Sequence, residues 1–91
     1  MRVIHKFQFN LAKVPMPDVW EVVLPAGTEI VSFQMQGNFP TMWYLRDPEI
    51  KETVSRRFKL AFTGEGLPSE IRYWGTVFHM YLVIHLVELL P

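Results

Sequence analysis

The chain has 91 residues, enough for one domain, and 49% of them are hydrophobic, a composition that excludes intrinsic disorder. It contains no cysteine, which excludes disulfides, thiolate metal sites and thiol nucleophiles and agrees with a reducing cytoplasm. Nine basic residues balance nine acidic ones, so the sequence gives no sign of a cationic surface for generic nucleic-acid binding. We therefore expect a single domain over residues 1–91, located in the cytoplasm and stabilised by packing.

The first third of the chain predicts two strands separated by a loop. Alternating apolar and polar residues predict a strand over residues 3–9. Residues 12–18 are predicted to be a loop, because two prolines there lack the backbone donors that regular structure needs. A second strand is predicted over residues 19–24. It ends at Pro25-Ala26-Gly27, a turn sequence in which proline presets φ and glycine supplies a positive one.

The middle of the chain predicts a β-hairpin. Residues 29–36 alternate between apolar and polar side chains, which is typical of a strand with one buried and one solvated face. Gly37-Asn38 is a two-residue turn sequence that leads into a predicted strand over residues 41–47. Residues 49–55 are polar and charged, which indicates either a surface loop or about one helical turn.

The last third of the chain predicts three more strands. Alternation indicates a strand over residues 57–63, followed by a flexible loop over residues 63–68. Residues 74–78 and 81–88 predict a final hairpin. The stretch 77–90 also fits a buried helix, but its content of Val and Ile favours strand.

The whole pattern, about seven short strands with no repeat or linker, predicts an all-β, mainly antiparallel fold. We expect a single compact sandwich or partly open barrel.

The most apolar stretch, residues 77–90, is interrupted by His79, His85 and Glu88 and is too short to span a membrane. The first residues lack the continuous apolar segment of a secretory signal. Aromatic residues make up 14% of the chain, so we expect some rings at the surface, which would allow homo-oligomerisation.

Residues that could carry chemistry are few. His5, His79 and His85 are the candidates for a metal site, but their spacing matches no ligand motif, and ordinary strand histidines are the simpler interpretation. Asp47 and Glu65 are the candidate acid–base carboxylates, although a turn-starting aspartate and a solvated glutamate explain them as well. No serine-nucleophile, phosphate-loop or dinucleotide motif is present. We predict no enzymatic activity, no metal and no cofactor.

A site for a negatively charged ligand is one remaining hypothesis. Guanidinium groups recognise phosphates by paired hydrogen bonds, backbone N–H groups of a glycine loop can hold an anion, and aromatic rings stack on bases. An ordinary charged sheet face explains the same residues. The candidate binding residues are Arg46, Arg56, Arg57, Lys59, Trp43, Tyr44, Thr63 and Gly64.

An aromatic surface that binds another protein is the competing hypothesis. Tryptophan and tyrosine are enriched where interfaces carry most of their binding energy. The candidates are Trp20, Trp43, Tyr73 and Trp74, and we expect at least two of the tryptophans to lie in the core.

A series of short motifs occurs in one order along nearly the whole chain. They are Val3-Ile4-His5-Lys6-Phe7, Leu24-Pro25-Ala26-Gly27, Val31-Ser32-Phe33-Gln34-Met35-Gln36, Trp43, Asp47-Pro48, Arg57-Phe58, Thr63-Gly64, Tyr73-Trp74-Gly75-Thr76-Val77 and Leu82-Val83-Ile84-His85-Leu86-Val87-Glu88. With these motifs the chain resembles a group of small uncharacterised proteins from bacteriophages and prophages.

The resemblance implies a phage-encoded protein that acts in the cytoplasm of a bacterial host, and it transfers no catalytic residue. By analogy with other small phage accessory proteins, we expect a non-catalytic counter-defence protein that binds and inhibits a host bacterial protein. The alternative is a sponge that sequesters a negatively charged signalling nucleotide. A small enzyme or metal-binding protein is the third hypothesis.

Overall fold

The computed structural model describes residues 1–91 and consists of seven strands joined by turns and loops. The strands are β1 (Val3–Gln8), β2 (Trp20–Pro25), β3 (Glu29–Gln36), β4 (Phe39–Arg46), β5 (Thr53–Phe62), β6 (Ile71–His79) and β7 (Leu82–Leu89). The all-β prediction is confirmed, and the final apolar stretch forms strands rather than a helix. No helix long and apolar enough to cross a membrane is present.

The strands form two antiparallel sheets that pack face to face. Sheet A has the strand order β1-β4-β3, and sheet B has the order β2-β5-β7-β6. Twelve buried side chains form one core between the sheets, so the predicted sandwich is confirmed. They are Phe9, Trp20, Val22, Leu24, Ile30, Phe33, Met42, Phe58, Leu60, Val77, Ile84 and Leu86. Strands β1 and β3 lie at the edges of sheet A, and β2 and β6 at the edges of sheet B.

Phe9, which directly follows β1, is the centre of an aromatic cluster in the core. Its ring lies edge-on to Phe7, Trp20 and Phe33, at centroid distances of 5.0, 5.4 and 6.3 Å. Edge-to-face contacts of this kind stabilise beyond the burial of area. Because Phe33 belongs to sheet A and Trp20 to sheet B, the cluster joins the two sheets.

Gly75 allows the two sheets to approach each other at β6. A β-bulge between Tyr73 and Gly75 leaves Trp74 without a direct partner on β7. A Cβ atom on Gly75 would lie 3.3 Å from the Cβ of Phe33, which is tighter than ordinary contact. The glycine therefore fits a position where sheet A approaches the backbone of β6.

Strand β4 begins two residues earlier than predicted. Residues 39 and 40 pair with the end of β3, although Pro40 has no backbone N–H. Pro40 is fully buried, and its carbonyl oxygen accepts a hydrogen bond of 2.9 Å from the N–H of Phe9. This acceptor and the burial of its ring stabilise proline in the strand.

Strand β5 begins at Thr53, whereas the sequence predicts residue 57. Residues 53–58 pair with β2, so the polar segment 49–55 is a loop only at its start, and the alternative of a helical turn is wrong. Arg56, Arg57 and Lys59 consequently lie inside a strand rather than near its end. Because neighbours in a strand point to opposite faces, the side chains of Arg56 and Arg57, predicted to lie together, are on different faces of the sheet.

Candidate functional site

The turn between β6 and β7 exposes large apolar side chains. Met80 and Tyr81 form its two-residue loop. Tyr81 is 100% exposed, Met80 is 84% exposed, and the neighbouring Phe78 is 73% exposed. Leu82, the first residue of β7, is also exposed. Single exposed apolar residues are common, but here four lie within five consecutive positions, with Phe78 and Leu82 on opposite faces of the hairpin.

Met80 also holds a backbone conformation that methionine rarely adopts. Its φ is +56°, and it is the one non-glycine residue in the chain with positive φ. A two-residue hairpin loop with positive φ at its first position only is a type II′ turn, in which glycine is favoured at that position. The β3–β4 hairpin makes the same kind of turn with Gly37, whose φ is +59°. One hairpin thus uses the favoured residue, and the other uses a large apolar one.

An open groove of about 650 Å³ lies beside this turn, between the two hairpins and the loop after β1. Its lining residues are Asn10, Leu11, Ala12, Asn38, Phe39, His79 and Met80. Leu11 packs against the core, and Phe39 is exposed. The Asn10 side chain accepts a 3.0 Å hydrogen bond from the N–H of Ala12, which shapes the loop. The groove and the turn together form what we call the tip surface: Leu11, Phe39, Phe78, Met80, Tyr81 and Leu82.

Arg56, one of the predicted binding residues, is instead committed to a mostly buried network. Its guanidinium donates two hydrogen bonds of 2.7 Å to Glu88 and one of 3.0 Å to the carbonyl oxygen of Thr28. The indole N–H of Trp74 donates to the same carboxylate at 3.1 Å. Burial opposes ionisation of Glu88, but the bonds from Arg56 and Trp74 outweigh it and lower the pKa of Glu88. The network joins β5, β6, β7 and the turn before β3.

Arg57 points to the opposite face of β5 from Arg56 and makes no ion pair. A groove of about 270 Å³ lies beside these two arginines, and we call it the arginine groove. Its lining residues are Ser55, Arg56, Arg57, Glu88, Leu89 and Pro91. The carboxylate of Glu88 neutralises Arg56 there, and no aromatic side chain lines the groove. Arg57 makes no ion pair in this groove, although Glu21 lies directly opposite it on β2.

Lys59 is neutralised on the outer face of sheet B. Its ammonium lies 2.7 Å from a carboxylate oxygen of Asp18 and 2.8 Å from one of Glu65. The hydrogen bonds to these two carboxylates raise the pKa of Lys59, and the bond from Lys59 lowers the pKa of Glu65. Glu65 also accepts a 3.2 Å bond from the N–H of Phe62, which holds the loop that contains Gly64 against the sheet.

The remaining predicted residues lie on other surfaces. Trp43, Tyr44 and Arg46 are half-buried on β4, where Trp43 points away from the core side and Tyr44 packs against the core. The structure therefore does not bring the eight predicted binding residues into one pocket. The reason is the period of two along a strand, which sends chain neighbours to opposite faces of the sheet. Of the three tryptophans, Trp20 is buried in the core and Trp74 packs against it, as expected.

His85 is part of a polar chain on the outer face of sheet B. Its Nδ1 lies 2.8 Å from the hydroxyl of Thr76, and its Nε2 lies 2.8 Å from the hydroxyl of Thr63. The hydroxyl of Tyr73 contacts that of Thr76. His85 pairs with neither His5 nor His79, and no three metal-ligating side chains come together.

The tip surface was not predicted from the sequence. Residues 79–80 were expected between two predicted strands, and of the turn side chains only His79 was considered, as a candidate metal ligand. The available signal was a tight hairpin connection, His79-Met80-Tyr81-Leu82, that contains no Gly, Asn or Asp. In a chain that uses Gly-Asn for its other tight hairpin, this departure points to a role for the side chains themselves.

Comparison with known proteins assigns a family but no activity. The sequence profile of a domain of unknown function (DUF7352) matches residues 1–90. No curated protein matches the chain. No solved structure matches it either.

Proposed function

We propose that this chain, which belongs to the DUF7352 family, is a non-catalytic domain that docks on another protein through the tip surface. In the phage setting that the sequence resemblance implies, the partner is a host bacterial protein in the cytoplasm, and docking inhibits it as a counter-defence. The observation that carries the proposal is a hairpin turn that is both highly exposed and conformationally costly.

The exposed area supports docking. Aromatic side chains each present roughly 150–250 Å², so Phe78 and Tyr81 with Met80 and Leu82 amount to several hundred Å² of apolar surface. A concentration of exposed apolar side chains at one end of a small protein is typical of interaction sites. The groove beside them is rimmed by the uncharged amides Asn10 and Asn38, and no Lys, Arg, Asp or Glu lines it. An apolar centre depleted of charge is typical of protein interfaces.

The conformation of Met80 supports the same proposal independently. A non-glycine residue in this region of φ costs on the order of 1–3 kcal/mol, and such residues cluster at functional sites. Glycine would remove this cost and the exposed thioether together. A side chain that is unfavourable for folding and unfavourable in water is explained by contact with a partner, where methionine adapts well to apolar surfaces.

Sequestration of a negatively charged nucleotide is the alternative function. Its support is Arg57, which lines the arginine groove and makes no ion pair there. The groove lacks the convergent aromatic groups that small-molecule pockets usually have, and Glu88 contributes a negative charge. Docking through the tip surface therefore accounts for more of the structure.

Native mass spectrometry of the protein purified from a bacterial host distinguishes the two functions. The wild type should be compared with Tyr81→Ser and Met80→Gly, which alter the tip surface, and with Arg57→Ala, which alters the arginine groove. Val23→Ser is the matched control, because it removes an exposed apolar side chain from β2.

Docking predicts a complex of the wild type and Val23→Ser with one host protein, lost in Tyr81→Ser and Met80→Gly. Extra mass of nucleotide size that disappears in Arg57→Ala would support sequestration instead. A complex that survives both tip variants, or the absence of any complex, would contradict docking through the tip surface.

A further inference from the structure

Three of the four edge strands carry features that block the addition of another strand. Strand β2 ends in Pro25, which has no N–H. Strand β3 has a bulge between Ile30 and Ser32, and β6 has one between Tyr73 and Gly75. Bulges and prolines are common devices that keep sheet edges from pairing with other chains. Strand β1 has neither, and its six residues pair with β4 without interruption.

The free edge of β1 presents the backbone groups of every second residue, three residues in all. The N–H of Phe9 donates to Pro40 at 2.9 Å, which fixes the odd-numbered residues of this antiparallel pair as the hydrogen-bonded ones. The N–H and C=O groups of Ile4, Lys6 and Gln8 therefore point away from β4. All three residues are exposed, and no backbone hydrogen bond outside the strand ladders involves them.

The charge on this edge is positive and incompletely compensated. Residues 1–17 contain Arg2, Lys6 and Lys13 and no acidic residue. Arg2 pairs with Glu29, whereas the ammonium of Lys6 has no acidic partner and reaches across β4 to the neutral amide oxygen of Gln36 on β3, at 2.5 Å. A lysine in the centre of an edge strand repels basic strands and favours acidic ones.

We propose that the free edge of β1 binds an extended acidic segment of the partner protein as an added strand of sheet A. The inference rests on the proposed docking function and specifies that the partner protein contributes an extended acidic segment. An added strand antiparallel to β1 would form ladder bonds with Ile4, Lys6 and Gln8, and would place an acidic side chain beside Lys6. Its course leads toward the tip surface, because the chain passes from Gln8 to Asn10, which lines the groove there.

A second copy of this chain fits the edge less well. Antiparallel pairing of two β1 strands centred on Lys6 would give the longest overlap of free backbone groups. It would also set the two Lys6 side chains directly opposite each other, and like charges in that position are destabilising. The edge therefore favours a foreign acidic strand over self-pairing.

The test uses the full chain and two eight-residue peptides, one alternating Val with Glu and the other alternating Val with Lys. Binding is followed by amide chemical shifts. We expect the Val/Glu peptide to shift the amides of Ile4, Lys6 and Gln8 and to slow hydrogen exchange at Lys6. The Val/Lys peptide should bind at least about tenfold more weakly than the Val/Glu peptide, which corresponds to a difference of about 1.4 kcal/mol in binding free energy.

Two variants separate edge pairing from other binding modes. Lys6→Pro removes one outward N–H without removing a ladder bond to β4, and should abolish binding of the Val/Glu peptide. Lys6→Glu keeps the backbone N–H and serves as the test if Lys6→Pro does not fold. It should reverse the preference, so that the Val/Lys peptide binds more tightly than the Val/Glu peptide. Shifts confined to the tip surface, equal affinity for both peptides, or unchanged preference in Lys6→Glu would overturn the proposal. A host complex lost in Tyr81→Ser but unaffected by either Lys6 variant would leave docking in place and refute strand addition alone.

Discussion

Met80 and Gly37 occupy equivalent turn positions, and the difference between them predicts opposite effects of exchanging the residue types. Met80→Gly should raise the free energy of unfolding by about 1 kcal/mol and the Tm by about 5 °C, since the relief at positive φ exceeds the entropy cost of glycine. Gly37→Met should lower the stability by a similar amount. Thermal and urea unfolding of the two variants beside the wild type measure both changes.

The two turns also show how much of the conformation of a single residue can be predicted from the sequence. Gly37-Asn38 could be predicted as a tight turn because glycine is the residue that adopts positive φ most readily. Met80-Tyr81 could be predicted only as a gap between strands, because the positive φ of Met80 is imposed by the flanking pairing of β6 with β7 rather than by the residue. A lower Tm in Met80→Gly would mean that the Met80 side chain stabilises the free protein, and the argument from conformational cost would fail.

The network of Arg56 and Glu88 connects elements that are distant in the chain, and it predicts a pH-dependent contribution to stability. The pKa of Glu88 is lowered in the folded protein, so ionised Glu88 stabilises the fold above the unfolded value near 4.5. That contribution is lost as the pH falls through the lowered folded pKa. Glu88→Gln should therefore cost about 3 kcal/mol at pH 7, because it leaves Arg56 mostly buried without a counter-ion.

Urea unfolding between pH 7 and pH 3 measures the contribution of Glu88. The gap in stability between wild type and Glu88→Gln should narrow as the pH decreases below about 4.5. Glu29→Gln is the control, because its pair with Arg2 is more than half exposed and should contribute under 1 kcal/mol at any pH. A gap that stays constant with pH would show that ionisation of Glu88 does not stabilise the fold.

At the scale of elements, strand alternation predicted most of the seven strands, and the exceptions have physical causes. Residues 53–55 were expected to belong to the polar segment 49–55, yet they begin β5, where the neighbouring Arg56 is accommodated inside the sandwich by Glu88, a partner on β7. Such a pair depends on which strands become neighbours. The same limitation explains the predicted anion site, whose residues were close in sequence but are divided among different faces by the register of β4 and β5.

At the scale of the whole molecule, composition and turn spacing were sufficient for the sandwich, but neither indicates which edges stay free. That depends on strand order and on two bulges that arise only in the folded sheets. Homo-oligomerisation, expected from the aromatic content, stays a prediction. If it occurs by pairing of sheet edges, the features of the four edge strands determine which edge is used. With β2, β3 and β6 blunted, we expect Lys6 to be the main barrier to self-pairing through β1.

Lys6→Val should therefore convert the free edge of β1 into a self-association site. The substitution removes the repulsion between two β1 strands, adds a β-branched residue that favours strand pairing, and leaves the ladder to β4 unchanged. Sedimentation velocity at rising protein concentration should show dimers or larger species for Lys6→Val at concentrations where the wild type does not pair through this edge. Lys51→Val is the matched control, since Lys51 is an exposed lysine in the loop before β5 and should not affect association. If Lys6→Val sediments like the wild type, either the β1 edge is covered in solution or Lys6 is not its gatekeeper, and the assignment of this edge as a docking site for an acidic strand would lose its basis.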